Sequence, residues 1–287
     1  MKIKRGYIYG GIVVVIILII GAAHYFSKQN SNSSSKVTTI NVAGVSANRP
    51  YTYAKGNKLG GYEGELLQKI DKDLKQYRFK YSAVSQNSAF VGLQSGKYDI
   101  SASGYWTNKQ RAKAYIQSDP DSIADLRLVY RSGEKKINGF ADVANSGLKL
   151  APISSDDARY NFVEEYNQNH PNDKVNLKAI GDITSGDALK QLQNKQFDAV
   201  FYPYQAYFGV KDAGGAKGLT VSPTIALKND HFFYHKSKQN KKLNSAVNKE
   251  LGKLKKDGYL EKLSKKYLGE DVFKLEGANK VWLDKNS

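Results

Sequence analysis

The segment "SAFVGLQSGKYDISASGYWTNKQR", residues 88–111, places a helix, a strand and the start of another helix in one short run. The first part is helix-like and stops at Gly96, a residue that commonly ends helices. "DISAS", residues 99–103, follows as a strand, and "GYWTNKQR", residues 104–111, forms the loop and helix start after it. A helix and a strand in this order are typical of an α/β fold.

The same alternation precedes this segment. "TTINVAG", residues 38–44, alternates apolar and polar residues as a strand does, and "GYEGELLQKIDKDLKQY", residues 61–77, carries apolar residues at helical spacing. "RFKYSAV", residues 78–84, alternates again. Strand, helix and strand in succession form a βαβ unit, so we expect these strands to lie in a parallel sheet.

The pattern restarts near residue 147. "GLKLAPI", residues 147–153, and "KVNLKAI", residues 174–180, are predicted strands around the helix "SSDDARYNFVEEYNQ", residues 154–168. "LKQLQNKQFDAVFY", residues 189–202, repeats the order of "VGLQSGKYDISAS", residues 91–103. This similarity predicts two lobes of like construction.

We expect residues 37–118 and 229–287 to build the first lobe and residues 119–228 to build the second. Two lobes leave a cleft between them, and open parallel sheets bind ligands outside the carboxyl ends of their strands. Arg111 follows such a strand, so we expect it to point into the cleft and meet an anion. The alternative is a surface arginine that pairs with Asp119 or Glu63.

The N-terminus is predicted to direct the chain to a membrane. Three basic residues precede residues 6–23, eighteen positions without a charge and roughly long enough to span a bilayer. Residues 1–26 are either a signal peptide cut after Ala23 or a retained anchor, and the serine-rich residues 27–36 are a predicted flexible linker. In both cases the rest of the protein is expected outside the cytoplasm.

Composition narrows the possible chemistry. Cysteine is absent, which excludes disulfides, thiolate metal sites and lipid attachment on cysteine. The formal net charge of +17 comes from scattered lysines, which favours a solvated surface, or attraction to an anionic cell surface, over nucleic-acid binding. His231 and His235 flank a predicted strand, so we expect no metal and no cofactor.

Four segments together resemble the extracytoplasmic solute-binding proteins of ABC importers, of the polar amino-acid-binding type (family 3). They are "LGGYEGELLQKI" (59–70), "LQSGKYDISASGYWTNKQRAKAYIQSDP" (93–120), "LQNKQFDAVFY" (192–202) and "LNSAVNKELGKLKKDGYLEKLSKKYLG" (243–269). The resemblance implies a type II periplasmic-binding-protein fold, in which two "Venus flytrap" lobes close on a ligand. It also implies a monomeric, non-catalytic receptor that docks on an ABC permease.

The resemblance also implies roles for particular residues. Arg111 would bind the α-carboxylate of the ligand through two N–H groups of its guanidinium. Backbone groups of Gly104 and Trp106 would line the same wall. Ser155, at the start of the second-lobe helix, would meet the carboxylate from the opposite side. A plain helix cap is the alternative role for Ser155.

Three positions depart from the family pattern. Pro203 stands where members that bind free amino acids usually carry an aspartate for the ligand ammonium, Val45 stands where a second acid is common, and Asn48 replaces an aromatic residue. A buried ammonium without a carboxylate is costly. Either another acid serves, for which the candidates are Glu63, Asp156 and Asp157, or the ligand lacks a free amine.

The expected cleft is rich in rings and amides. Gln86 and several aromatic residues suit a ligand larger or less charged than a simple amino acid, such as a modified amino acid, a short peptide or another carboxylate. The aromatic residues are Tyr51, Tyr53, Tyr105, Trp106, Tyr202 and Tyr204.

Two other classes of function remain open. The same lobes also occur in dehydratases and lytic enzymes, and Glu63 and Glu65 are the carboxylates that could serve as acid or base. A sensor or surface adhesin is the third possibility, although only five residues precede the apolar run, which leaves no room there for a signalling domain.

Overall fold

The computed structural model describes residues 37–181 and 183–284, and strands and helices alternate along them. The strands are β1 (Thr38–Val45), β2 (Ala47–Asn48), β3 (Thr52–Lys55), β4 (Lys58–Gly60), β5 (Tyr77–Val84), β6 (Ile100–Tyr105), β7 (Ile116–Gln117), β8 (Ser122–Arg131), β9 (Ile153–Ser154), β10 (Ala179–Ile180), β11 (Ala199–Pro203), β12 (Leu219–Val221) and β13 (Ala226–Tyr234). The helices are α1 (Tyr62–Asp73), α2 (Gln86–Gln94), α3 (Lys109–Ala114), α4 (Phe140–Asn145), α5 (Ala158–Asn169), α6 (Ser185–Gln193), α7 (Tyr204–Asp212), α8 (Lys238–Lys256), α9 (Tyr259–Tyr267) and α10 (Ala278–Leu283).

One sheet runs through both lobes in the order β11, β8, β13, β6, β1, β5. β1 and β6 are parallel, as expected, with Val42 opposite Ile100. In the middle of the sheet, β13 is antiparallel to both β6 and β8. β8 and β13 are the chain segments that cross between the lobes, and crossing in opposite directions makes the sheet mixed.

The two crossing strands also mark where one hydrophobic core gives way to the next. Ile123 packs into the first-lobe core, and Ala124 packs into a second-lobe core. On the return strand, Ala226 belongs to the second lobe and Leu227 packs against the first. One core therefore gives way to the other inside β8 and again inside β13.

The first-lobe core is built by the helical faces that the sequence predicts. Leu66, Leu67 and Ile70 of α1 are fully buried, and four apolar residues of α8 pack into the same cluster. Each buried leucine or isoleucine contributes about 1.5–3 kcal/mol relative to exposure. Gly258 has a left-handed φ of 73° and starts α9, which is the predicted break between the closing helices.

The second lobe has less strand than expected. Residues 147–153 contribute only the first residue of the two-residue β9 and a single bridge between Leu150 and Ala199, because Pro152 cannot donate to a ladder. Of residues 174–180, only Val175 is buried, and the strand shrinks to β10. A peptide segment without a buried face has little reason to join a sheet.

The predicted signal or anchor, residues 1–26, and the predicted linker, residues 27–36, lie outside the described residues. Within residues 37–181 and 183–284, no helix is long and apolar enough to cross a membrane. The membrane segment therefore stays a sequence prediction.

Candidate ligand-binding site

A cavity of about 290 Å³ lies between the two lobes. The first lobe contributes residues that follow β1 and β5, the end of β6, and Arg111. The second lobe contributes residues at the starts of α5 and α6, the end of β11, Ser154 and Ala206. The lining residues are Val45, Ser46, Ala47, Asn48, Tyr51, Ser85, Gln86, Ser103, Gly104, Tyr105, Trp106, Arg111, Ser154, Asp157, Ala158, Arg159, Ile183, Thr184, Ser185, Tyr202, Pro203 and Ala206. The carboxyl ends of β1 and β6 meet here, as the fold requires.

Arg111 lines this cavity although only 7% of it is exposed. Nη1 donates to the carbonyl of Trp106 at 2.9 Å, and Nη2 donates to the carbonyl of Asp156 at 3.2 Å. Burial lowers the pKa of Arg111, while the nearby charge of Asp157 acts in the opposite direction. An arginine stays charged under such a shift, so the cavity wall holds a buried cation.

Aromatic rings surround the Arg111 guanidinium. Its central carbon lies 4.7 Å from the ring centre of Phe90, 5.4 Å from that of Tyr105 and 5.9 Å from that of Phe233. Rings at this distance attract a cation and exclude water from it. They also fix the direction in which the remaining N–H groups point.

The two sequence-based alternatives for Arg111 do not occur among the described residues. Arg111 forms no salt bridge there with Asp119 or Glu63. Glu63 instead accepts a hydrogen bond from the backbone N–H of Gly104 at 2.8 Å. Both hydrogen bonds of the Arg111 guanidinium go to neutral carbonyls, and no carboxylate of the described residues is bonded to it.

Gly104 has a left-handed φ of 63° beside the cavity. A Cβ at this position would lie 2.7 Å from the ring of Tyr51, so only glycine fits without rearrangement. Tyr51 is itself buried, and its hydroxyl donates to Oε1 of Gln205 at 3.4 Å. The Gly104 N–H is already bound to Glu63, so it is not free to bind a ligand. This part of the wall would contact a ligand through the Tyr51 ring instead.

The first-lobe floor is polar. Nδ2 of Asn48 donates to the carbonyl and to Oγ of Ser103, both at 2.9 Å. Gln86 is the first residue of α2 and lines the same side. Val45 also lines the cavity, so the position of the missing first-lobe acid is an apolar part of the wall.

The opposite wall is an ion pair that the sequence analysis found only in part. Asp157 caps α5 by accepting the Arg159 backbone N–H at 2.8 Å, and its second oxygen lies 2.7 Å from Nη2 of Arg159. The Arg159 guanidinium carbon lies 3.9 Å from the centre of the Tyr202 ring. The signal in the sequence was an arginine two residues after a capping aspartate, a spacing that brings both into the same helix start.

Charge fixes the protonation of this pair. Burial alone would raise the pKa of Asp157, but the charge and hydrogen bonds of Arg159, with the charge of Arg111, bring it to about 2. Burial alone would lower the pKa of Arg159. The charge of Asp157 has the larger effect, so the pKa of Arg159 is raised. The pair is ionised at any physiological pH.

Ser155 differs from its predicted position. It is exposed and is not among the lining residues, whereas its neighbour Ser154 is. The alternative role of helix cap is wrong, because Asp157 caps α5. The run "SSDD" offers four capping side chains in succession, and the structure uses the last of them.

Of the three acids predicted as partners for a ligand ammonium, only one lines the cavity. Glu63 is fully buried and does not line the cavity, and Asp156 is exposed and does not line it. Asp157 does line it, and so does Pro203. Within residues 37–181 and 183–284, the cavity wall carries two guanidinium groups and one carboxylate.

Three carboxylates meet at the first-lobe ends of the crossing strands. Glu63, Asp121 and Asp230 are fully buried, and Oγ of Ser122 donates to Asp230 at 2.5 Å. Burial, with the charge of Asp230, raises the pKa of Glu63, and burial with both neighbours raises the pKa of Asp121. Burial raises the pKa of Asp230 to about 7, with the Ser122 hydrogen bond acting against it.

Histidines contribute no metal site within residues 37–181 and 183–284, where no three acidic or histidine side chains are arranged to hold an ion. His231 lies in β13, as expected, and its Nδ1 is 2.9 Å from the carbonyl of Ser118. Burial lowers the pKa of His231 to about 4.

The chain belongs to the bacterial extracellular solute-binding proteins, family 3, which match residues 40–270. It is 26% identical over 219 residues to the L-cystine-binding protein TcyJ of Bacillus subtilis (strain 168), covering 76% of this chain and 78% of that protein. The predicted family and fold are thereby confirmed, and the chain is an extracytoplasmic solute-binding protein of ABC importers.

Two solved structures are each similar to 82% of this chain. One belongs to a study of glutathione import via GshT and the cystine ABC importer TcyBC of Streptococcus mutans, with 29% identity, a TM-score of 0.71, and coverage of 82% of this chain and 96% of that chain. The other is a putative L-cystine ABC transporter from Listeria monocytogenes, with 27% identity, a TM-score of 0.68, and coverage of 82% and 98%.

Proposed function

We propose that this protein binds a carboxylate-bearing amino-acid derivative or small peptide through Arg111 and delivers it to an ABC permease. One observation carries the proposal: Arg111 is a buried cation that lines the cavity and bonds only to neutral carbonyls. A buried charge is costly until an opposite charge meets it. A ligand carboxylate would neutralise the Arg111 charge and accept two parallel hydrogen bonds from its guanidinium.

The charges of the cavity favour one ligand class. Arg111, Arg159 and Asp157 give the cavity wall one net positive charge, which suits a ligand with one net negative charge. Glutathione carries two carboxylates and one ammonium, and cystine carries two of each. The relatives named for cystine and the structure from the study of glutathione import support both as candidate ligands, and the charge balance favours glutathione.

The cavity gives no support to catalysis. Glu63 and Glu65, the carboxylates considered from the sequence, do not line it. Asp157 does, but its pKa of about 2 makes it a poor base at neutral pH, and Arg159 already occupies it. We infer a receptor without enzymatic activity.

We further infer that the receptor works as a monomer outside the cytoplasm. Its N-terminal segment would hold it at the membrane, or release it after cleavage beyond Ala23. Family membership supports the extracytoplasmic side, and the choice between anchor and release rests on the sequence alone.

Isothermal titration of the full chain, purified in mild detergent, tests the role of Arg111. Glutathione, cystine and an amine-free dicarboxylate are titrated into the wild type, Arg111→Ala and Arg111→Lys. We expect at least a hundred-fold loss for Arg111→Ala, since a buried charge pair is lost and one charge stays unpaired, at a cost of about 3–5 kcal/mol. Arg111→Lys keeps the charge but loses the two-nitrogen geometry, so it should bind with intermediate affinity.

Arg78→Ala is the matched control, because Arg78 is an exposed arginine that lies 3.7 Å from Asp71 and does not line the cavity. Unchanged affinity in Arg111→Ala would contradict the proposed clamp. Binding of none of these ligands by the folded wild type would contradict the proposed ligand class.

A further inference from the structure

A second chamber of about 430 Å³ adjoins the ligand cavity. The two share Ser46 and Ala47 from the first lobe and Thr184 and Ser185 from the second. Ligand pockets usually measure about 300–1,000 Å³, so the first cavity alone is small and the two together fall well inside this range. The four shared residues place the second chamber directly beside the cavity that holds Arg111.

Arg49 supplies the charge of the second chamber. Its guanidinium carbon lies 3.7 Å from the centre of the Tyr53 ring, which holds the side chain flat against the first lobe. Within residues 37–181 and 183–284, Arg49 is the only charged side chain in this wall. The chamber therefore attracts an anion and offers it a planar set of donors.

Small residues of the second lobe give the chamber its width. Gly186, Gly209, Ala213 and Gly215 also line it. A Cβ at Gly209 would lie 2.9 Å from the backbone nitrogen of Pro50, so this glycine allows α7 to pack directly beside the Arg49 segment. The contact fixes the position of Arg49 relative to the second lobe.

We propose that the second chamber binds the distal carboxylate of a two-ended ligand through Arg49. Such a ligand is an amino-acid disulfide or a small peptide with a carboxylate at each end, one on Arg111 and the other on Arg49. This inference rests on the proposed function and deepens it, because it makes the length of the ligand and its second charge part of recognition. Ser46, Ala47, Thr184 and Ser185 would contact the neutral middle.

Two matched pairs of probes test this inference by titration of the full chain. The first pair is glutathione and glutathione amidated at its glycine, and the second is L-cystine and its monoamide, which keeps the disulfide and both ammonium groups but has one carboxylate. We expect the wild type to prefer the two-ended member of at least one pair by about five-fold, the range of a partly exposed charge pair. The pair that shows the preference identifies the source of the second carboxylate.

Arg49→Gln should remove this preference by weakening the two-ended probe about five-fold and leaving the one-ended probe unchanged. Arg78→Gln is the matched exposed control and should preserve the preference. Arg111→Ala should weaken both members of the pair, since both keep the first carboxylate.

The outcomes separate this inference from the function it rests on. Equal binding of both members of each pair by the wild type, or an equal effect of Arg49→Gln on both members, overturns the inference about the second chamber. Arg111-dependent binding would survive that result. Failure of all four probes to bind the folded wild type overturns the proposed ligand class and this inference with it.

Discussion

At the residue scale, Gly104 determines the shape of the cavity wall next to Arg111. Its left-handed backbone would strain an alanine by about 1–2 kcal/mol, and the added Cβ would also lie 2.7 Å from the Tyr51 ring. We expect Gly104→Ala to lose about 2–4 kcal/mol of unfolding free energy and to weaken ligand binding. Chemical denaturation monitored by circular dichroism measures the loss.

Gly133 provides the matched control, because its φ of 84° is also left-handed and a Cβ there would contact nothing within 4 Å. Gly133→Ala should show the backbone strain alone, about 1–2 kcal/mol. If the two alanine variants are equally destabilised, the Tyr51 contact contributes nothing and the argument from close packing is wrong.

The residues of the site were predictable where a motif places them on one strand end. Arg111, Gly104, Trp106 and Tyr105 follow or end β6, so one correctly predicted strand located all four beside the cavity. The opposite wall was harder, because the choice among the capping residues of "SSDD" depends on Arg159. The Asp157–Arg159 ion pair depends on where the helix starts, and the periodicity of apolar residues carries no information about it.

At the element scale, the crossing strands β8 and β13 carry buried acids where they meet α1. Asp230 has a pKa of about 7 in the folded protein because of its burial, against about 4 in an unfolded chain. Between these values the folded state binds more protons than the unfolded state, so this group loses its stabilising contribution as pH rises from about 4 to about 7. The loss is at most about 1.4 kcal/mol per pH unit.

Asp230→Asn should therefore gain stability relative to the wild type across this pH range. Asparagine resembles the protonated aspartate and still accepts from Ser122, but it cannot ionise. Denaturation at half-unit steps from pH 4 to pH 8 measures the difference in unfolding free energy. Glu63 and Asp121 face the same site, and removal of the Asp230 charge should make the rise in their pKa values smaller, which adds to the gain of the variant.

Asp212→Asn is the control, since Asp212 is exposed on α7. It should track the wild type at every pH. A constant offset between Asp230→Asn and the wild type from pH 4 to pH 8 would mean that Asp230 is ionised throughout, and that burial does not hold its proton.

Helices could be predicted from the sequence where apolar residues repeat on one face over several turns, as in α1, α8 and α9. The antiparallel course of β8 and β13 could not be predicted from alternation alone, because alternation gives the faces of a strand and not its direction. Their direction depends on the chain crossing between lobes twice, a property of the tertiary fold.

At the scale of the whole molecule, the two lobes meet across the cavity mouth through contacts that the ligand does not provide. Nδ2 of Asn108 donates to Oδ1 of Asn161 at 2.8 Å, and Arg111 donates to the carbonyl of Asp156. Neither asparagine lines the cavity. The Asn108–Asn161 hydrogen bond therefore favours closed lobes whatever the ligand is.

Loss of that hydrogen bond should lower affinity for every ligand alike. A ligand that touches both lobes binds the closed state better, and its apparent affinity falls with the population of that state. A hydrogen bond contributes about 0.5–1.5 kcal/mol, so we expect Asn161→Ala to weaken binding about two- to ten-fold. Stopped-flow measurements should place the change in faster ligand dissociation.

A residue that controls lobe closure should change the affinity for every ligand by the same factor, whereas a residue that contacts the ligand should not. Asn161→Ala should change the affinities for glutathione and its amidated form by the same factor, whereas Arg49→Gln should change only the first. Asn169→Ala, an exposed asparagine on the same helix, should leave both unchanged. A ligand-dependent effect of Asn161→Ala would show that Asn161 contacts the ligand, and that the hydrogen bond to Asn108 does not control closure.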